Sequence, residues 1–231
     1  MADTSYRAVV IGGTGAVGSA LVRELLASPR CVGVTALVRR AAHGFDDAPG
    51  RDKLRLDVVD LSDLERATAT LAAGCTAAFC TMGVGQPRKV PREEFRRVDV
   101  EYAGAFARGA AAAGVNRIAL LSSVGANVGS RNPYLRVKGD AEAAVAASGI
   151  ARVRLFRPSL LVTRQIRYGL QDRLSQLLVP LLAPLAPARY HQIRVEDLAR
   201  AMRLDAERDV PPGTEVLMYP EFVRLLAAER A

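Results

Sequence analysis

The stretch Arg7-Ala8-Val9-Val10-Ile11-Gly12-Gly13-Thr14-Gly15-Ala16-Val17-Gly18 decides how this chain is read. Its first five residues are the apolar run of a buried strand, Arg7–Ile11. Three glycines at three-residue spacing follow, and an apolar-periodic helix then runs from about Ala16 to Ser28, stopped by Pro29. Glycine allows the tight turn, lets a phosphate come against the backbone, and lets helix and strand touch. Behind the turn, the helix N-terminus offers free N–H groups and the positive end of its dipole to an anion. Gly12, Thr14, Gly15, Ala16, Val17 and Gly18 are therefore expected to hold a dinucleotide pyrophosphate.

Outward from this turn, strand and helix alternate in the rhythm of a doubly wound parallel α/β sheet. Further strands are expected at Val32–Val38, Lys53–Val58, Thr76–Met82, Arg117–Ser122 and Arg152–Arg157. Ser62-Asp63-Leu64-Glu65 reads as a capping box for a helix ending at Gly74. A long helix spans about Arg92 to Ala113, and another about Pro133 to Ser148. Beyond Pro158 the rhythm loosens. Helices are expected at Tyr168–Val179 and Val195–Glu207, a strand at Glu215–Tyr219, and a short terminal helix after it. The 231 residues read as one domain, with a core at about 7–158 and a substrate-covering segment at about 159–231. Leu177–Pro187, interrupted by Pro180 and Pro184, reads as a packed lid or subunit contact, and a homo-oligomer is compatible with it.

Half of the residues are hydrophobic, enough for a sizeable core. Met1 to Tyr6 runs straight into the first strand without a signal peptide. No stretch reaches the ~18 apolar residues of a membrane span. Three cysteines, Cys31, Cys75 and Cys80, suit a reducing cytoplasm, and strand alternation would turn Cys75 and Cys80 to opposite faces. The two histidines, His43 and His191, form no metal-spaced cluster, so no metal is expected. The net charge of +8 raises nucleic acid as a partner. Basic residues are spread along the chain in runs no longer than two, which argues against that partner and leaves part of the excess for an anionic cofactor or substrate.

The end of the second strand discriminates between coenzymes. An acidic residue there binds a ribose 2′-hydroxyl, whereas arginine takes a 2′-phosphate. Here Arg39-Arg40 stands twenty-one residues past Gly18, with no carboxylate. Guanidinium binds phosphate bidentately, so NADP(H) is expected. Asp57, ending the third strand, is placed to accept a hydrogen bond from an adenine amino group.

The second informative element is Tyr134-Leu135-Arg136-Val137-Lys138. An i, i+4 pair shares one helix face, which sets an ammonium beside a phenol. A free phenol ionises near pH 10, about three units too high for proton transfer at neutral pH. A neighbouring cation stabilises phenolate and opens acid–base chemistry on a carbonyl oxygen as a hydride arrives. Only three lysines stand against 29 arginines, so a lysine here marks a need for a compact ammonium. Ser122 and Ser123, ending the fifth strand, offer a hydroxyl to the same oxygen. Alternation permits one of them to face the pocket, and Ser123 is favoured.

Together these elements resemble the short-chain dehydrogenase/reductase superfamily. With Phe79-Cys80-Thr81-Met82-Gly83, Phe95-Arg96-Arg97-Val98-Asp99, Leu121-Ser122-Ser123-Val124-Gly125-Ala126 and Phe156-Arg157-Pro158-Ser159-Leu160-Leu161, the series is similar to the Tat-interactive-protein family of its atypical members, over about residues 7–202. The resemblance implies a Rossmann-type fold with bound NADPH. Thr14–Val17 would line the pyrophosphate, Arg39 and Arg40 the 2′-phosphate, and Met82 and Gly83 the middle of the cofactor. Leu161 would flank the nicotinamide, Tyr134 and Lys138 would be the catalytic pair, and Arg164 and Arg167 would follow in a basic loop. The chain departs from the classical branch in having Thr81-Met82-Gly83-Val84 where that branch has Asn-x-Ala-Gly. The expected activity is NADPH-dependent reduction of a carbonyl or related small molecule. The alternatives are an NADPH-binding regulator without turnover, and a sugar-nucleotide epimerase or dehydratase; the short C-terminal segment and Arg39-Arg40 argue against the latter.

Overall fold

Strand alternation explains the layering. In a computed structural model, which describes residues 5–163 and 187–229, Val9 and Ile11 of β1 (Tyr6–Ile11) face one buried cluster while Ala8 and Val10 face the other. The same parity holds in β4 (Ala77–Cys80), where Ala77 and Phe79 point one way and Ala78 and Cys80 the other. Both faces must therefore be covered, as parallel sheets require. β2 (Cys31–Val38), β3 (Leu54–Val58), β5 (Arg117–Leu121), β6 (Arg152–Phe156) and a later strand, Gly213–Leu217, complete a seven-stranded sheet in which every pair is parallel. The spatial order is β3-β2-β1-β4-β5-β6 with Gly213–Leu217 at the far edge. The order reverses between β1 and β4, and that switch point opens a crevice at the C-terminal ends of the strands.

On one face lie α1 (Ala16–Ala27) and α6 (Val195–Ala206), with Leu21, Leu25, Leu198 and Met202 in a shared core. On the other lie α2 (Leu64–Leu71), α4 (Tyr102–Ala112) and α5 (Pro133–Ala146), contributing Leu64, Phe106 and Val145. A short α3 (Arg92–Arg96) runs into α4 through one wide π-type turn, Arg97–Glu101. After β6 come β7 (Leu161–Val162) and β8 (Ile193–Arg194), paired with each other. The strand at Gly213–Leu217 is β9, and α7 (Tyr219–Ala228) follows it. Among the described residues no helix is long and apolar enough to cross a membrane.

Several expectations need correction. The later C-terminal segment does more than cover a site: β9 pairs with β6, and α6 walls the core beneath β1. The helix after β3 is entered through Asp60, whose carboxylate accepts from the Ser62 N–H at 2.9 Å, and not through a Ser62–Glu65 box. β4 starts at Ala77, so Cys75 precedes the strand, and it packs in the same cluster as Cys80. The expected helix at Tyr168–Val179, the Leu177–Pro187 segment as far as Ala186, and Arg164 and Arg167 lie outside the described residues.

The end of α6 ties early and late chain together. The Glu207 carboxylate accepts from Tyr6 Oη at 3.2 Å and Ser28 Oγ at 2.6 Å, and Arg203 Nη1 pairs with it at 2.8 Å. On the same face, alternation in β6 points Arg154 inward with Phe156. Arg154 meets Asp205 of α6 at 3.5 Å, both side chains buried. Burial pushes the Asp205 carboxyl up to about 6, against the opposing pull of Arg154 and Arg208. A carboxyl raised in the folded state holds a proton there that the unfolded chain has released, so stability falls as pH rises from about 4 to about 6. Asp205→Asn should remove that component. Relative to the parent, the variant should gain melting temperature across this window and level off above it, read from thermal melts at stepped pH.

Candidate active site

The glycine turn is built around one close approach. Gly12 has φ +80°, and a Cβ on it would lie 2.4 Å from the Met82 nitrogen. A Cβ on Gly18 would lie 2.1 Å from the Gly12 carbonyl oxygen and 2.6 Å from Thr81 Oγ1. Real Cβ atoms do not tolerate such contacts, so both positions require glycine. Thr81 locks the opposite side: its N–H and its hydroxyl both donate to the Ile11 carbonyl, at 3.0 and 3.1 Å. The Gly15 N–H donates to the Gly12 carbonyl at 2.9 Å, and Gly15 is the N-cap of α1 without any side-chain acceptor. The first turn of α1 thus carries no side-chain cap or acidic residue, and Thr14, Gly15 and Ala16 are exposed. This cradle fits an anion laid against backbone.

Arg39 and Arg40 follow β2 directly and are exposed, with no carboxylate partner among the described residues. Arg39 lines a crevice of about 540 Å³ with Val58, Val59, Asp60, Arg97 and Tyr102. Val58 at its edge is 63% exposed, an apolar surface at the C-terminal end of a strand. The Asp57 carboxylate beside it lies against Arg55 Nε, 2.9 Å from Oδ1 and 2.8 Å from Oδ2.

Tyr134 and Lys138 share one face of α5. The helix begins where Asn132 caps it, Oδ1 accepting from the Tyr134 N–H at 2.9 Å, with Pro133 in its first turn. Lys138 Nζ lies 6.0 Å from the centre of the Tyr134 ring. Two partners on the α3–α4 segment hold the pair. Phe95 stacks on Tyr134 with centroids 6.0 Å apart and planes 5° from parallel, and Asp99 Oδ1 accepts from Lys138 Nζ at 2.6 Å. Asp99 sits in the wide turn, only 2% exposed, and its second oxygen accepts from the Val84 N–H at 2.9 Å. Burial alone would lower the Lys138 pKa, but the charge of Asp99, the nearness of Tyr134 and the hydrogen bond from Asp99 outweigh it, so the ammonium is held above its ordinary value. Asp99 was not singled out as a functional residue in the sequence. Its signal was present in the four-residue spacing of Phe95 and Asp99, which matches that of Tyr134 and Lys138.

The two serines separate. Ser122 is buried and donates to Glu142 Oε1 at 2.5 Å, and Arg157 Nε donates to the same oxygen at 2.8 Å. This network fastens the ends of β5 and β6 to α5. Ser123 is only partly buried, and its hydroxyl donates to the Val124 carbonyl at 3.5 Å. Met82 is partly buried and Gly83 exposed at the mouth beside β4, and Leu161 lies in β7, paired with Ile193.

The sequence profile of a family described as NAD(P)H-binding matches residues 12–176. The chain belongs to this NAD(P)H-binding family. It is 33% identical to rat protein HTATIP2 over 153 residues, 66% of this chain and 62% of the relative, so the chain spans less than two thirds of that protein. It is 30% identical to the Aspergillus fumigatus protein fmp52, covering 90% of this chain and 92% of the relative. These relatives place it with the atypical short-chain dehydrogenase/reductases of HTATIP2 type. A solved structure of MoeE5 with UDP-glucuronic acid and NAD superposes with a TM-score of 0.68 over 96% of this chain and 82% of its own, at 23% identity, and shares the fold. The expectation of a cytoplasmic protein does not stand, because the fungal relatives of this NAD(P)H-binding chain are named mitochondrial. Buried free cysteines fit any reducing compartment and do not discriminate.

Removing the Asp99 charge should be costly, because it strands a buried ammonium. Asp99→Asn should lose about 3 kcal/mol or more in urea unfolding. Lys138→Met on top of it should restore most of that loss, as a double-mutant cycle would measure.

Proposed function

We propose that this protein is an NADPH-dependent reductase of carbonyl or similar unsaturated small molecules. The observation that carries this reading is the Tyr134–Lys138 pair, oriented by Phe95 and Asp99 at the switch point of the sheet. Thr14–Val17 hold the pyrophosphate against the uncapped start of α1. Arg39 and Arg40, free of carboxylates, take the 2′-phosphate; a carboxylate in their place would repel it. Asp57 accepts from the adenine amino group, Met82 and Gly83 pass the middle of the coenzyme, and Leu161 flanks its ring. The whole chain works as one unit, with Leu161 of β7 on the substrate side.

When bound, the coenzyme supplies a hydride to the carbonyl carbon. Tyr134 gives its phenolic proton to the carbonyl oxygen as the C=O bond becomes an alcohol, and it recovers a proton from solvent. Ser123 donates a hydrogen bond to the same oxygen. Lys138 has three donor hydrogens: one stays on Asp99, and the others are available to a ribose hydroxyl. Its charge, secured by Asp99, stabilises the phenolate that Tyr134 leaves behind.

Tyr134→Phe should lower NADPH oxidation by about a hundredfold or more, with coenzyme affinity changed less than about threefold. Replacing Arg39 and Arg40 with serine should weaken NADPH by about tenfold or more in calorimetry and leave NADH unchanged. Equal affinity of the parent for NADH and NADPH, or stoichiometric NADPH binding without oxidation over a panel of carbonyls and quinones, would sink the proposal.

A further inference from the structure

We infer that the cavity beneath the C-terminal end of α6 binds a chloride-sized anion, held by Arg117 and Arg154 and taken up together with a proton on Asp205. The inference is independent of the reductase reading, because this site lies at the other end of the sheet. Ala77, Arg117 and Arg152 are the first residues of β4, β5 and β6, whereas the glycine turn follows the last residue of β1. With Arg154, Asp205 and Arg208 they line a cavity of about 20 Å³. One water-sized sphere needs ~10–15 Å³, so the cavity admits a single halide and is too small for a tetrahedral oxyanion.

The charges around this cavity are crowded and loosely paired. Arg117 and Arg152 are register partners on neighbouring strands, and Arg154, two residues on, shares their face of the sheet. Like charges so placed oppose each other. Burial, and then the charge of Arg152, lower the Arg117 pKa from its ordinary value. Arg154 is 5% exposed and Asp205 4%. Yet Arg154 Nε is buried without a hydrogen bond, 3.5 Å from Asp205 and 3.6 Å from Glu215. Arg208 also stops 3.5 Å from Asp205. Charge-assisted hydrogen bonds ordinarily span about 2.7–2.9 Å, and the comparably buried Lys138 and Asp99 close to 2.6 Å. Four guanidinium groups thus line a cavity with one carboxylate, and no ion pair to that carboxylate among the described residues is shorter than 3.5 Å.

The other charged and titratable groups facing this cluster do not replace Asp205. Tyr6, against which Arg117 lies, stays neutral because burial pushes its phenol up. Arg30 adds a further cation at the end of α6, where it donates to the Glu207 carbonyl, and the Glu207 carboxylate is taken by Arg203. Asp209, 3.2 Å from Arg152, is almost fully exposed, and Glu215 of β9 is half-exposed, so water screens both. Burial pushes the Asp205 carboxyl up to about 6. Once Asp205 is protonated, Arg154 stands buried without a neutralising charge, which is costly. A halide entering the cavity supplies that charge. Asp205 takes a proton from solvent as the anion arrives, so the net charge of the cluster is unchanged. Above about 6 the ionised carboxylate repels the anion, and binding weakens as pH rises.

The test follows chloride binding to the full chain by chlorine NMR line broadening, with gluconate holding the ionic strength constant. At about pH 5 the broadening should saturate and bromide should displace it, and the affinity should be about tenfold weaker at about pH 7. Asp205→Asn should keep the site and abolish that pH dependence. Arg154→Gln combined with Asp205→Asn removes both buried charges and should weaken the saturable binding about tenfold or more. Crystals of the parent soaked in sodium bromide need no variant, and should show an anomalous peak among Arg117, Arg154 and Asp205. No saturable broadening at about pH 5, an affinity that does not change between about pH 5 and about pH 7, or saturable binding undiminished in the double variant would overturn the inference. So would bromide at surface positions alone (an adventitious ion only) or a water as the sole occupant of the cavity.

Discussion

Everything at the switch point depends on two backbones lying closer than side chains permit. Gly12 presses on the Met82 peptide and Gly18 on the Gly12 carbonyl, while Thr81 bonds back to Ile11. This contact fixes how far β4 extends before the chain turns away. It also keeps the start of α1 open, since its first N–H groups have no side chain to satisfy them. The loop that leaves the contact carries Val84, whose N–H reaches Asp99. The glycine turn and the Tyr134–Lys138 pair are therefore mechanically joined through the four residues Thr81–Val84.

The second constraint is electrostatic. A buried ammonium is expensive, and Asp99 is what makes Lys138 affordable. The wide turn at Arg97–Glu101 delivers that carboxylate, and Phe95 one turn earlier steadies the tyrosine. The Tyr134–Lys138 face of α5 is thus met by a matching Phe95–Asp99 face on the neighbouring segment. One turn beyond Lys138 along α5, Glu142 gathers Ser122 and Arg157. One serine is thereby committed to architecture, and its neighbour is left with its hydroxyl available.

The sheet, the glycine cradle and the Tyr134–Lys138 pair were legible because each is a local pattern: an apolar run, a glycine spacing, an i, i+4 repeat. What the sequence concealed depends on packing. Asp99 sits between Val98 and Val100 in what reads as an ordinary helix, and only the approach of α5 buries it. Asp60 displaced Ser62 as the cap because a single turn of 3₁₀ helix precedes α2. The parity argument for Cys75 and Cys80 failed because a strand has parity only within its own bounds, and β4 begins two residues later than Cys75. β9 looked like part of a cover because nothing local announces pairing with β6 across more than fifty intervening residues.

Glu207 is bound by Tyr6, Ser28 and Arg203, and α6 walls the core beneath β1, the first strand in the chain. During translation, therefore, β1 emerges with α1 but long before α6 completes the wall on that face. The nascent chain must carry an incompletely covered face of the sheet until residues 195–206 clear the ribosome. Vectorial synthesis thus leaves the first half of the sheet waiting for residues 195–206, and chaperone demand should peak once that half has emerged.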